Sequence, residues 1–323
     1  MTPKEDLLFL ISTPLYFLVI LFEIFLSNWQ DRKLYTVKDT LANLYLTTLN
    51  ASLDLGFRLV YLVVLGFFAT HSSIHITNAV WYWVMLVLLE DFIFYWLHRM
   101  EHYVRLFWAV HVTHHSSEQF NFTVGFRSSV FQPLYRFIFF IPLAFLGFSP
   151  LDIVFTYSLT QTWGIMVHTK LINKMGWLEH IFVTPSHHRV HHASNTKYLD
   201  KNMGMFLIVW DKLFGTFQPE LDASEYEPLR FGLTTNIEDK NAINLVVHEW
   251  KSITKDIKKR VPLKTKLGYL FGPPGWSHDG STLTSKEMRM MEDEDHLRPE
   301  HSREEFIEIP AAIQVYGHEN HYQ

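Results

Sequence analysis

The chemistry in this chain is carried by histidine. Of nineteen histidines, eleven lie between His98 and His192, mostly in three clusters. His98 and His102 stand at i and i+4, neighbours on one face of a helix. His111, His114 and His115 add pairs at i, i+3 and i, i+4. His187, His188, His191 and His192 repeat that geometry with one extra histidine in front, and His168 stands alone. Neutral imidazole is the commonest metal ligand, and ligands one turn apart can grip one ion without backbone strain. Adjacent histidines such as His114-His115 and His191-His192 diverge by about 100° around a helix, so their rings aim at different places. A catalytic zinc ion takes about three protein ligands, whereas nine or ten candidates converge here. Two metal ions fit that count better.

Cysteine is absent, which removes disulfides, iron–sulfur clusters, thiolate zinc sites and cysteine nucleophiles together. Any metal must be held by His, Asp or Glu. Two carboxylates are expected to support the ligands. Asp91 lies in an apolar stretch, where an ionisable group is a functional candidate. It stands two helical turns before His98, about 10 Å along the axis, too far to share an ion with it. It is expected to accept a hydrogen bond from a ligand imidazole of another segment. The competing reading is an ordinary buried partner for a Trp, Tyr or Arg. Glu101, beside His102, is the second candidate for this supporting role. His71, His75, His180 and His248 read as surface or hydrogen-bonded residues, and His278, His296, His301, His318 and His321 as solvent-exposed ones.

The elements that must position these residues are membrane helices. Aromatic residues make up 16% of the chain and charged residues 19%, against about a quarter charged in soluble domains. Five apolar runs stand out: Leu7 to Leu26, Leu53 to Thr70, Asn78 to Leu97, Val130 to Gly147 and Leu151 to Val167. The first is long enough to cross a hydrocarbon core of about 30 Å and lacks the basic start and cleavage site of a signal peptide. Arg136, Pro133 and Pro142 interrupt the fourth. The segment 27–50 carries Arg32, Lys33 and Lys38, whereas 71–77 carries no Lys or Arg. By the positive-inside rule 27–50 is cytoplasmic, the third run returns to the cytoplasm at His98, and the fifth returns at His168. Every clustered histidine then falls on one side of the membrane. The expected fold is an all-α integral membrane protein with four to five transmembrane helices in hairpins and a cytoplasmic helical cap carrying a dimetal site. Residues 1–75 are expected to hold the N-terminal spans, 76–216 the catalytic domain, 217–282 a cytoplasmic region and 283–323 a charged, flexible tail. Gly272-Pro273-Pro274-Gly275-Trp276 should stop any helix there. The net charge of -5 gives no sign of nucleic-acid binding.

The clusters resemble the three histidine boxes of the fatty acid hydroxylase/sterol desaturase superfamily. The resemblance covers roughly Leu86 to Thr216 and includes Trp210-Asp211-Lys212-Leu213-Phe214-Gly215-Thr216 after the third box. Within the superfamily the likeness is to the alkylglycerol monooxygenase group and its bacterial members. It is carried by Tyr95 to Met100, Thr113 to Glu118, Thr184 to His192 and the late Gly-Pro-Pro-Gly-Trp segment. One position departs: an acidic residue of that group is replaced by Tyr103, with Glu101 on the other side of His102. The resemblance implies two Fe ions, with O2 as co-substrate, hydroxylating a lipid alkyl or acyl chain, an alkylglycerol ether lipid and a sterol-like molecule being the named candidates. It also implies His98, His102, His111, His114, His115, His168, His188, His191 and His192 as ligands, with His187 as a tenth. No cytochrome-type haem motif is visible, so a separate electron donor is expected: a tetrahydropterin, a cytochrome b5-type protein or a ferredoxin-type protein. Lipid desaturation is the near alternative. A membrane metal transporter or a zinc hydrolase is more remote, because the ligands sit at span ends and no His-Glu-x2-His motif is present.

Overall fold

A computed structural model describes residues 3–297 of the chain. It begins with three helices long and apolar enough to cross a membrane, α1 (Pro3–Trp29), α2 (Val37–Thr70) and α3 (Ala79–Tyr103). Their starts are written locally. Thr36 caps α2 by accepting the N–H of Asp39, and Asn78 caps α3 by accepting the N–H groups of Val80 and Trp81, which satisfies donors that a first turn leaves free. With 34 residues, α2 is about 51 Å long and outreaches the bilayer core. It therefore begins well before the apolar run expected at Leu53, and its polar first turns (Asp39, Asn43, Thr47) are free to hold the histidine-bearing loops.

Val104 leaves the helical conformation (φ -123, ψ 115) and separates α3 from α4 (Arg105–His115). The fourth and fifth apolar runs form two shorter helices, α5 (Arg136–Phe145) and α6 (Pro150–Met166). Gly147 turns between them at φ +90, where a Cβ would lie 2.3 Å from the Ile74 carbonyl oxygen. Leu65, Leu86, Phe140, Leu143 and Ile153 pack the seam of α2, α3, α5 and α6. One end of this helical body is pinned by Lys4, whose Nζ lies 2.7 Å from Asp152, and by Tyr82, whose hydroxyl accepts the Ser149 N–H. The histidines gather at the opposite end. Among the described residues the fold is all-α, as expected; the only β pairing is two isolated bridges, Phe182 with Leu207 and Ala193 with Phe231.

The cap comprises α7 (Pro185–His192), α8 (Val209–Phe214), α9 (Ala242–Ile257), α10 (Leu263–Phe271) and α11 (Ser285–Leu297). The Gly-Pro-Pro-Gly-Trp segment ends α10 as expected, with Gly272 at the cap. The stretch expected to be a flexible tail begins instead with α11. Thr284 and Glu287 exchange hydrogen bonds at its start, a capping box. Arg289 donates to the Leu199 carbonyl and Glu292 accepts from the Tyr226 hydroxyl, so partners on the cap offset its high charge. The remainder of that stretch, 298–323, with His301, His318 and His321, lies outside the described residues.

Arg105 joins the cap to the histidine-bearing helix α4. Its Nε donates to Glu249 at 2.7 Å, Nη1 to Asp256 at 2.6 Å and Nη2 to Ser252 at 2.8 Å, all on α9. Arg105→Leu strands two largely buried carboxylates and is expected to cost about 3 kcal/mol. A lowered thermal midpoint in detergent, with faster proteolysis within 231–297, checks this. Arg105→Lys should recover only part, since an ammonium cannot reproduce the guanidinium fork.

Candidate metal centre

Four segments bring nine imidazoles into two adjoining groups. His98, His102, His111, His115 and His191 form the first and His114, His168, His188 and His192 the second; within each group the ligand atoms all lie within 4.8 Å of one another. The adjacent pairs split. His114 and His115 on α4 serve different groups, and so do His191 and His192 on α7, as the 100° step between neighbouring residues requires. Both helices therefore contribute to both groups. His115 and His192 meet across the boundary, their rings stacked at 4.4 Å.

The hydrogen-bond pattern fixes which nitrogen faces inward. Nδ1 of His98 donates to the Met203 carbonyl at 2.8 Å, of His114 to the Arg127 carbonyl at 2.7 Å, of His168 to the Gly164 carbonyl at 2.7 Å, and of His191 to the Lys201 carbonyl at 3.0 Å. A carbonyl only accepts, so Nδ1 carries the proton and Nε2 presents a lone pair. Burial pushes the basicity of His111, His115, His168, His188, His191 and His192 well below the ordinary range, and that of His114 down to about 4. These rings are neutral. Yet the Nε2 atoms of His98 and His111 are 3.0 Å apart, those of His111 and His115 3.1 Å, and those of His168 and His188 2.9 Å. Nε2 of His102 and of His191 and Nδ1 of His188 are buried without any protein partner. His188 finds no acceptor at Nδ1, so its Nε2 can donate to His168, whereas the Nε2 lone pairs of His98, His102, His111 and His191 converge and call for a cation. Two nitrogens bound at right angles about 2.1 Å from one ion lie about 3.0 Å apart, close to the spacings found. The residues present fit a pair of metal ions.

The acceptors come chiefly from one loop. Residues 200–203 serve three ligands of the first group: Asp200 Oδ1 lies 3.2 Å from Nδ1 of His102, and Lys201 and Met203 accept from His191 and His98. Asp200 and Asn202 hold left-handed backbone conformations, φ 54 and 55, which Asp and Asn tolerate better than most residues. Asp211 braces the loop by accepting the N–H groups of Met203 and Gly204, both at 2.7 Å, and the Thr216 hydroxyl. Sequence reasoning did not pick out Asp200, Asn202 or Asp211 for these roles; the one available signal was the Trp210-to-Thr216 run.

The two expected carboxylates divide. Glu101 Oε2 sits 3.3 Å from Nδ1 of His111, and its Oε1 accepts from Gln132 and Tyr135. Asp91 touches no imidazole. It accepts the N–H groups of Phe206 and Leu207 and the Trp210 indole N–H, so the expectation that it orients a ligand ring is corrected to the competing one, a buried partner of a tryptophan. His187 also stands outside both groups. Its Nδ1 faces the Thr184 N–H in the capping box of α7, and its ring packs on Phe217, so the extra histidine in front of the third box is spent on starting the helix.

Two cavities reach the centre from different sides. One, about 300 Å³, touches His98, His111, His114, His168 and His188 and runs between α1, α2 and α6 past Tyr16, Asn50 and Gln161. The other, about 240 Å³, touches His102, His115, His191 and His192 and is walled by Trp108 of α4 and by cap residues including His248, Pro274 and Met288. A more open cleft of about 430 Å³ over the Arg189–Glu220 pair meets none of these nine histidines.

Fold and site together define a helical membrane protein with a buried polyhistidine metal centre. Residues 83–216 match the family model described as fatty acid hydroxylase, and that segment holds every histidine of both groups. The chain is similar to alkylglycerol monooxygenase of Xenopus tropicalis, 33% identical over 276 residues, which are 82% of this chain and 58% of the relative. With human alkylglycerol monooxygenase it shares 41% identity over 198 residues, 61% of this chain and 43% of the relative. The ornithine lipid hydroxylase of Rhizobium tropici is 31% identical over 136 residues, 42% of this chain and 41% of that one. The resemblance read from the histidine boxes is borne out. The chain spans about half the length of the alkylglycerol monooxygenases it matches, and no solved structure matches it significantly.

Replacing His111 or His188 with Ala is expected to reduce bound metal by at least half, measured by elemental analysis of the purified protein. His187→Ala should retain full metal content and lose only the stability of a helix cap, about 1 kcal/mol.

Proposed function

We propose that this chain is an O2-dependent membrane lipid hydroxylase with two irons bound by the nine histidines, and that residues 76–216 form its catalytic region. The observation that carries the reading is the pairing of a buried, neutral, two-group histidine cluster with a cavity that leads from it between helices of spanning length. Imidazole alone suits several metals; iron is supported by the family match over 83–216. Two bound irons would supply O2 activation and the oxidising power to cleave an unactivated C–H bond.

The protein's own contribution is position and exclusion. His98, His111, His114, His168 and His188 form the inner wall of the cavity, so a chain threaded along it brings one carbon to the centre. Nδ1–H bonds to fixed backbone carbonyls orient four of the imidazoles, and the burial that keeps the rings neutral also excludes bulk water from a reactive site. The charged residues farther along the cavity are neutralised in pairs, Glu5 with Arg58 and Asp54 with Arg136, limiting the cost of charge at membrane depth.

The substrate is a lipid with an alkyl or acyl chain, and the names of the relatives support an ether lipid or another membrane lipid. Desaturation is the second reading, supported by 25% identity over 173 residues with a sterol desaturase of Gibberella zeae; it differs only in the fate of the substrate radical. The loop charges support a cytoplasmic face for the centre, with reducing equivalents from a separate donor. Lipid profiles of cells expressing wild type against His114→Ala test the reading: a hydroxylated or cleaved lipid seen only with wild type is expected, a new double bond selects the desaturase, and identical profiles defeat both. Anaerobic loading should give about two irons per chain; one zinc with O2-independent turnover would replace the oxygenase by a hydrolase.

A further inference from the structure

We propose that the corner between α9 and α10, residues 255–271, is an in-plane anchor that binds the anionic lipid surface of the same bilayer the chain spans. Three observations converge on it. First, Leu263, Leu267 and Phe271 stand at i, i+4 and i+8 of α10 and are 71%, 45% and 56% exposed. That spacing lines them along one helical face, and the opposite side is anchored to the protein by the buried Tyr269, which packs on Trp276 and His278. A stripe of large apolar side chains is costly in water and suits the headgroup–acyl boundary.

Second, the same segment is strongly basic. Residues 255–266 contain six Lys or Arg against one acidic residue, Asp256, in a chain whose net charge is -5. Lys258, Arg260 and Lys264 are exposed beside the apolar stripe. An apolar face flanked by cations is the pattern that anionic headgroups attract, and that attraction falls off within a Debye length. Attraction to headgroups therefore acts only if the segment lies close to the bilayer.

Third, the fold puts it near. The Arg105 N–H donates to the Gly272 carbonyl at 2.9 Å, tying the end of α10 to the junction where α3 ends. Tyr103 and Trp96, at that end of α3, are themselves partly exposed, at 38% and 40%, and aromatic residues of this type favour the membrane interface. Phe271 thus stands one residue from a tether at the level where the spanning helix leaves the membrane. The apolar stripe continues a surface that is already lipid-facing, which favours lipid over a second protein as its occupant.

The absence of cysteine makes the test direct. Single variants Leu267→Cys, Phe271→Cys and, as a control on an exposed loop, Ser281→Cys are spin-labelled in the full-length protein and reconstituted into vesicles of phosphatidylcholine with or without phosphatidylglycerol. Collision with O2 should exceed collision with a water-soluble nickel chelate at 267 and 271, with the order reversed at 281. Immersion should deepen with phosphatidylglycerol and fall back to the neutral-vesicle level when Lys258, Arg260 and Lys264 are changed to Glu. Labels at 267 and 271 that collide with the nickel chelate as readily as the one at 281 would overturn the proposal. So would immersion indifferent to both lipid charge and the Glu variants. Spin–spin broadening that grows with protein density would overturn it in favour of a contact between copies of this chain.

Discussion

Everything in this structure answers to one electrostatic problem: neutral imidazoles with their lone pairs aimed at one another inside a dry volume. Left alone, the Nε2 atoms of His98 and His111, whose Nδ1 atoms face the Met203 carbonyl and Glu101, would repel at the distance found. A cation between them would relieve the repulsion, and a ring keeps its lone pair inward only if an acceptor outside holds its N–H. Carbonyls of Met203, Lys201, Arg127 and Gly164 do the second job. Metal affinity at such a site is also folding free energy, because the unfolded chain does not assemble the ligands.

The acceptors need their own scaffolding, and the chain supplies it with buried acids. Asp211 clamps the turn that presents the Met203 carbonyl, and Asp91 reaches across from α3 to the next backbone amides, Phe206 and Leu207. The helix that carries His98 and His102 therefore also holds the loop that orients them. On the other side, Arg127 sits fully inside the protein, bonded to the Thr113 carbonyl, Ser116, Asp39 and Asn43, while its own carbonyl fixes His114. The polar first turns of α2 exist for this contact, which is why that helix outruns its apolar segment.

How much was legible beforehand follows from which groups do the work. Ligand positions are side-chain chemistry, and the i, i+3, i+4 spacings with adjacent pairs exposed both the site and its division in two. Helices α1 to α3 were legible because hydrocarbon imposes a long apolar run. Backbone acceptors leave no such mark: any residue at 203 or 164 could lend a carbonyl, so the partners of His98 and His168 were invisible. Asp91 was misassigned for a related reason. A buried carboxylate near a histidine box looks the same in sequence whether it meets an imidazole or a pair of amides. His187 misled through its neighbours, since a fourth histidine in a cluster reads as a ligand although the first residues of a helix have donors to satisfy. The start of α11 was hidden by its charge, which suggested a solvated tail.

The sharing of α4 and α7 between the two groups has a thermodynamic consequence. Each is a short rod bearing histidines of both groups: His111 and His115 on one side of α4 with His114 on the other, and His191 against His188 and His192 on α7. Ordering either rod by an ion in one group would order it for the other, so the entropy of assembling the second group would be largely spent when the first filled. Occupancy at the two positions would then be linked, each favouring the other by the same factor, and half-loaded protein would be less populated than two independent groups would give.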